Sequence, residues 1–62
     1  MSRPIKKLKK YREKKFMSQK ELAELSKVAQ PTISTAETGG KISLGSIKKL
    51  ASALDVRPEQ LL

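Results

Sequence analysis

Residues 17–39 have the sequence MSQKELAELSKVAQPTISTAETG, and this segment has the clearest signals for secondary structure in the chain. Ser18 and Glu21 have the capping-box spacing, in which the serine side chain accepts from the third helical amide and the glutamate reaches back to the cap. The pattern predicts a helix over residues 18–26, followed by a turn of about three residues.

A second helix is predicted directly after this turn, over residues 30–37. Pro31 is tolerated in its first turn, and the glycines at 39 and 40 end it. Ile33, Ala36 and Glu37 share one side of its helical wheel. The opposite side is short, polar and uncharged, and it comprises Gln30, Pro31, Ser34 and Thr35.

Three further helices are predicted outside this stretch. The stripe of Ile5, Leu8 and Tyr11 predicts one over residues 4–15, and the remaining two are predicted over residues 44–54 and 58–62. No run alternates as a strand would. The prediction is therefore an all-α, five-helix domain over residues 4–62, preceded by a flexible basic start, residues 1–3.

The composition limits the chain to one small domain and excludes several kinds of site. Its 62 residues include no cysteine and no histidine, so the usual zinc ligands, disulfides and the commonest general base are absent. Residues 1–20 hold nine basic side chains and one acidic one, which equals the net charge of +8 of the whole sequence. We therefore expect a polyanionic partner, no metal or cofactor, and no enzymatic activity. Because no apolar segment is long enough to span a membrane, we expect a cytoplasmic protein.

Arg12 falls on the inner side of the first helix, among its apolar residues. A buried charge without a partner is costly, so Arg12 requires an acid nearby. Glu37 lies on the inner side of the third helix and is the predicted partner.

The 23 residues from Met17 to Gly39 resemble, without a gap, the helix-turn-helix of the Cro/phage-repressor type, or Xre family. The segments IKKLKKYR before them and SIKKLASALDVRPEQLL after them extend the resemblance over nearly the whole chain. It implies a compact phage-repressor-like DNA-binding domain, in which helices 2 and 3 form the helix-turn-helix and helix 3 enters the major groove. It also implies a bacterial or phage transcriptional regulator, a repressor, that binds a palindromic double-stranded operator as a homodimer joined through its C-terminal helix.

The resemblance implies two sets of DNA contacts and supports the Arg12–Glu37 ion pair, which several relatives share. Base contacts fall on Gln30, Pro31, Ser34 and Thr35. Phosphate contacts fall on Ser18, Gln19, Thr38, Lys41 and the start of the fourth helix, and positive charge adds Lys20 and Lys27. Gln30 is the main candidate for specificity, because its amide can bond to adenine N6 and N7 together.

Two residues of the turn depart from the family pattern. Lys27 stands where the turn often has glycine, so a left-handed conformation there would cost roughly 1 kcal/mol. Ala29 replaces the common serine or threonine cap of helix 3, which weakens that helix start by about 1 kcal/mol.

Other functions stay open. The main alternative is an antitoxin-type regulator that binds both a protein toxin and its own operator, and a protein partner or a missing C-terminal domain is compatible with either function. Binding of RNA or single strands is disfavoured, because Tyr11 and Phe16 are the only aromatic residues and Tyr11 lies on the core stripe. The basic first helix has an apolar stripe too narrow to favour a membrane surface over the core.

Overall fold

The computed structural model describes the backbone of residues 2–62 and the side chains of residues 4–62. The helices are α1 (Leu8–Lys14), α2 (Gln19–Ser26), α3 (Gln30–Glu37), α4 (Leu44–Ala53) and α5 (Pro58–Leu61). Two short strands, β1 (Ser2–Pro4) and β2 (Lys41–Ser43), pair in an antiparallel sheet. The predicted five-helix fold is confirmed, and no helix in the described part of the chain is long and apolar enough to cross a membrane.

The start of the chain differs from the prediction. Residues 2–4 form a strand in place of a flexible segment, while Met1 lies outside the described residues. The first helix begins at Leu8 rather than at residue 4, because a turn follows the strand and is closed by the Leu8 amide, which donates to the Ile5 carbonyl at 3.0 Å. Ile5 and Leu8 are both buried, and their spacing of three fits this turn as well as a helix.

The apolar core lies between α2, α3, α4 and α5: α2 packs against both α3 and α4, and α4 packs against α5. Its centre is α4, and the strand β2 adds Ile42, which the helical patterns had not indicated. Leu44, at the start of α4, is more than a third exposed. The largest fully buried side chains are Ile5, Leu8, Leu22, Ile33, Ile47, Leu50, Leu54 and Leu61.

The turn between α2 and α3 is formed as the sequence suggested. The capping box at the start of α2 is present: the Glu21 amide donates to Ser18 Oγ at 3.0 Å, and the Ser18 amide donates to Glu21 Oε1 at 2.9 Å. Helix α2 ends at Lys27, whose φ of 65° is in the left-handed region. Ala29 precedes α3 and supplies no side-chain cap. The helix-turn-helix is thus built with a lysine at the position that favours glycine.

Candidate nucleic-acid interface

Helix α3 has an inner side that packs against the core and an outer side that is largely exposed. Ile33 and Ala36 are fully buried. The predicted base-contacting residues all lie away from them: Gln30, Pro31 and Thr35 are exposed and Ser34 is half-buried. The outer side carries amide, hydroxyl and pyrrolidine groups without formal charge, which suits contacts with base edges better than contacts with phosphates.

Some of the residues predicted to contact phosphates have exposed donor groups, whereas others already use their donors in hydrogen bonds within the domain. Lys20, Lys27 and Lys41 are exposed. Ser18 Oγ accepts the Glu21 amide and keeps its own proton for another acceptor. Thr38 Oγ1, by contrast, donates to the carbonyls of residues 34 and 35, both at 3.1 Å, so a phosphate bond from this hydroxyl requires it to rotate.

Beside α3 lies an open polar groove of about 330 Å³, bounded on its other side by β2 and the first turn of α4. The groove brings Thr35 and Lys41 together, although one was predicted to contact bases and the other phosphates. It is lined by Thr32, Thr35, Lys41, Ile42, Ser43 and Ser46. Thr32 was missed by the sequence reasoning, although it lies one helical turn before Thr35, a spacing that could have indicated it. Ser46 lies at the start of α4, which the resemblance assigned to phosphate contacts.

Gly40 fixes the distance between α3 and β2. Its amide donates to the Thr35 carbonyl at 2.8 Å. A Cβ atom at position 40 would lie 2.9 Å from that carbonyl oxygen and closer still to the Thr35 methyl group, so no larger residue fits without a shift. The chain therefore passes directly from the outer side of α3 to Lys41.

A hydrogen-bond network joins α1, α2 and α3 beneath this surface. Arg12 Nε lies 2.6 Å from Glu37 Oε2, and Arg12 Nη2 donates to Glu37 Oε1 at 3.2 Å. The Arg12 Nη1 donates to the Met17 carbonyl at 2.7 Å, and Gln19 Nε2 donates to Glu37 Oε1 at 2.9 Å. The structure thus contains the Arg12–Glu37 pair, and the amide of Gln19, predicted to contact phosphate, is part of the same network.

The two charged groups stabilise each other's ionised form. The hydrogen bond to Glu37 raises the pKa of Arg12 above its usual value. Burial raises the pKa of Glu37, but the hydrogen bonds from Arg12 and Gln19 and the nearby positive charges lower it more, so the net pKa lies below its usual value. Both groups stay charged at neutral pH, which holds the three helices in a fixed arrangement.

Comparison with known proteins agrees with this arrangement. The chain matches the helix-turn-helix family model HTH_3 over residues 8–61. It is also similar to the high-resolution crystal structure of the restriction-modification controller protein C.AhdI from Aeromonas hydrophila, with 38% sequence identity and a TM-score of 0.84. That similarity covers 92% of this chain and 88% of the other. No curated protein matches the chain. Because the family match includes all five helices, the chain belongs to the Cro/C1-type (Xre) helix-turn-helix family of DNA-binding transcription regulators.

Proposed function

We propose that the domain is a repressor that binds a palindromic operator sequence-specifically, with α3 in the major groove of double-stranded DNA. One observation carries the proposal: the uncharged outer side of α3 lies between exposed lysines on α2, the following turn and β2. This order along the chain supports base contacts from α3, with phosphate contacts from the residues on either side of it.

Gln30 is the residue that selects the base sequence. It is exposed in the first turn of α3, the part of a recognition helix that extends furthest into the groove. Its side-chain amide can donate to N7 and accept from N6 of one adenine. Pro31 contributes an apolar ring that can contact a thymine methyl group, while the hydroxyls of Ser34 and Thr35 can donate or accept and discriminate little.

The polar groove beside α3 is the proposed binding site for one phosphate group of the DNA backbone. Lys41 supplies a positive charge there, and Thr32 and Thr35 supply hydroxyl groups. Ser43 caps α4 by accepting the Ser46 amide at 3.2 Å, and the first turn of a helix has further amides without a partner inside the helix. A phosphate in this groove would position α3 relative to the base pairs without selecting a sequence.

A single copy is too short to contact two successive major grooves. The longest dimension of the domain is 28 Å, whereas equivalent half-sites lie about 34–36 Å apart. One copy is expected to contact about four to five base pairs, so useful specificity requires two copies on two half-sites. We propose that they associate through α5, where Leu62 is 45% exposed beside the buried Leu61.

The genes under control are proposed to be those of a restriction–modification system. The support is the 38% identity over 92% of this chain to C.AhdI, a restriction-modification controller protein. At this coverage the two domains share their fold, so any difference between their operators would depend on the outer side of α3.

Selection of bound fragments from genomic DNA by the purified protein tests the proposal. We expect the selected fragments to share a palindrome whose half-sites are about 10 base pairs apart, or a multiple of that, and to include a promoter. Fragments with no common sequence would contradict specific binding, and a single unrepeated half-site would contradict the homodimer.

A further inference from the structure

The C-terminal ends of three helices have the same geometry, and one of them carries an unexpected residue. In each, the first residue after the cap donates to the carbonyl three positions earlier, and the next donates to the carbonyl five positions earlier. The left-handed position of this Schellman arrangement favours glycine, because other side chains are strained there. It is occupied by Gly39 after α3, by Asp55 after α4 and by Phe16 after α1.

Phe16 is also the most exposed large apolar side chain among the described residues. It is 94% exposed at a φ of 55°, so it gains almost no burial in return for its strained backbone. The next in exposure, Leu25 at 57%, lies on α2. An aromatic ring held outward at a position suited to glycine is unfavourable for an isolated domain, which indicates a contact outside it.

A groove with apolar and acidic side chains lies on the adjacent surface of α2, next to the exposed ring. It has a volume of about 450 Å³ and is lined by Met17, Glu21, Glu24 and Leu25. An apolar cavity of roughly 150 Å³ is enough for benzene, so the groove can accept a phenyl ring. Two carboxylates beside an apolar floor are also unusual on a chain with a net charge of +8.

We propose that this face is an interface between two copies of the chain, in which Phe16 of each copy enters the acidic groove of the other. Because ring and groove lie on one surface, a two-fold axis between the copies satisfies both at once. Lys15 precedes the ring and is exposed, and it would face Glu24 of the second copy. The groove thus carries negative charge on a basic molecule, and the segment proposed to enter it carries a positive charge next to the ring.

The interface is distinct from the proposed contact through α5 and does not depend on DNA binding. It involves one ring and a few neighbours on each side, so we expect weak association, with a dissociation constant on the order of 100 μM. Sedimentation equilibrium without DNA, up to about 1 mM protein and at 0.15 M salt to screen the overall charge, measures it directly.

Phe16→Ala should weaken this association at least about tenfold, since a central aromatic ring typically dominates a small interface. The comparison is made in a Leu62→Ala background, which weakens the proposed contact through α5 so that it does not add to the measured association. Circular dichroism should show that Phe16→Ala melts at or near the wild-type temperature, because the ring packs against nothing in the monomer. A Leu62→Ala protein that stays monomeric at about 1 mM, or one whose association Phe16→Ala leaves intact, would overturn the proposal.

Charge reversal provides a second test that does not depend on folding. Lys15→Glu and Glu24→Lys should each prevent self-association, because both contacts in each homodimer then pair like charges. A mixture of the two variants should associate nearly as well as the wild type, because one contact is then native and the other is reversed but still of opposite sign. A mixture that associates no better than either variant alone would refute the paired contact.

Discussion

Arg12, Gln19 and Glu37 form one network at the meeting point of α1, α2 and α3. The side chains of Arg12 and Glu37 are only 12% and 5% exposed, so removing one leaves the other charge with little contact with water. A pair of this kind contributes less to net stability than to fixing one arrangement of its helices. Here that arrangement sets the position of α3, whose last residue is Glu37 itself.

Replacing Arg12 with methionine should lower the free energy of unfolding by about 3–5 kcal/mol, because it leaves the Glu37 carboxylate buried with a neutral donor only. Urea unfolding followed by circular dichroism measures the change. The double variant Arg12→Met with Glu37→Leu should recover most of the loss, since no charge is then left unpaired. If the single variant unfolds at the wild-type urea concentration, the buried ion pair does not exist in solution.

Stability should fall in acid through Glu37. Its pKa in the folded protein lies below the ordinary value of 4.5, so the unfolded chain binds the proton more readily. The stabilisation is therefore complete above about pH 4.5 and is lost as the pH drops through the folded-state pKa. Urea unfolding at several pH values between about 6 and 3 should show a steeper decline for the wild type than for Glu37→Gln. If the stability of the wild type and of Glu37→Gln falls equally with pH, Glu37 does not cause the loss of stability in acid.

Among the secondary-structure elements, the helix ends determine where the groups proposed to contact DNA lie. Lys27 ends α2 in the left-handed conformation, and its amide donates to the Ala23 carbonyl at 2.9 Å. The side chain is exposed on the turn that leads into α3. The sequence thus keeps a positive charge at a position where glycine would stabilise the fold.

Lys27→Gly should therefore raise the free energy of unfolding by roughly 1 kcal/mol while weakening binding to DNA of any sequence. Asp55→Gly is the matched control, because Asp55 is also left-handed, at a φ of 58°, but follows α4. It should stabilise the fold without reducing DNA affinity. Thermal unfolding and fluorescence anisotropy measure the two effects; a Lys27→Gly variant that binds as tightly as the wild type would remove Lys27 from the phosphate contacts.

The elements that the sequence predicts correctly are those with local signals. The capping box of Ser18 and Glu21 and the glycine after α3 depend on neighbours a few positions away, and the structure forms them as expected. The strand β1 has no such signal, because it exists only through pairing with β2 about 40 positions later. The polar groove likewise joins residues of α3, β2 and α4 whose distances are set by tertiary packing, so the groove itself and the place of Thr32 in it were not indicated.

For the whole molecule, the net positive charge and the shape of the surface are expected to contribute to DNA binding in different ways. The excess of positive charge in residues 1–20 raises the association rate and the attraction to any duplex. Many of these lysines are exposed on α1, which meets α3 through its inner residue Glu37. Direct phosphate contacts are therefore expected from fewer residues than the net charge suggests, and Lys41 in the polar groove is the clearest of them.

Lys41→Ala should weaken binding to specific and non-specific duplexes alike and reduce the slope of log K against log salt by roughly one unit. Lys48→Ala is the control, because Lys48 is exposed on α4 and lines a different groove. It should change the slope much less. Equal slopes for Lys41→Ala and the wild type would place Lys41 outside the phosphate contacts.

The most direct test of sequence-specific binding through α3 is the affinity of Gln30→Ala for the selected operator and for an unrelated duplex of equal length. Gln30 is exposed and has no described bond within the domain, so its removal should leave the fold intact. We predict a loss of about 1–3 kcal/mol on the operator and almost none on the unrelated duplex. Equal losses on both duplexes, or no loss on either, would contradict the assignment of sequence recognition to Gln30.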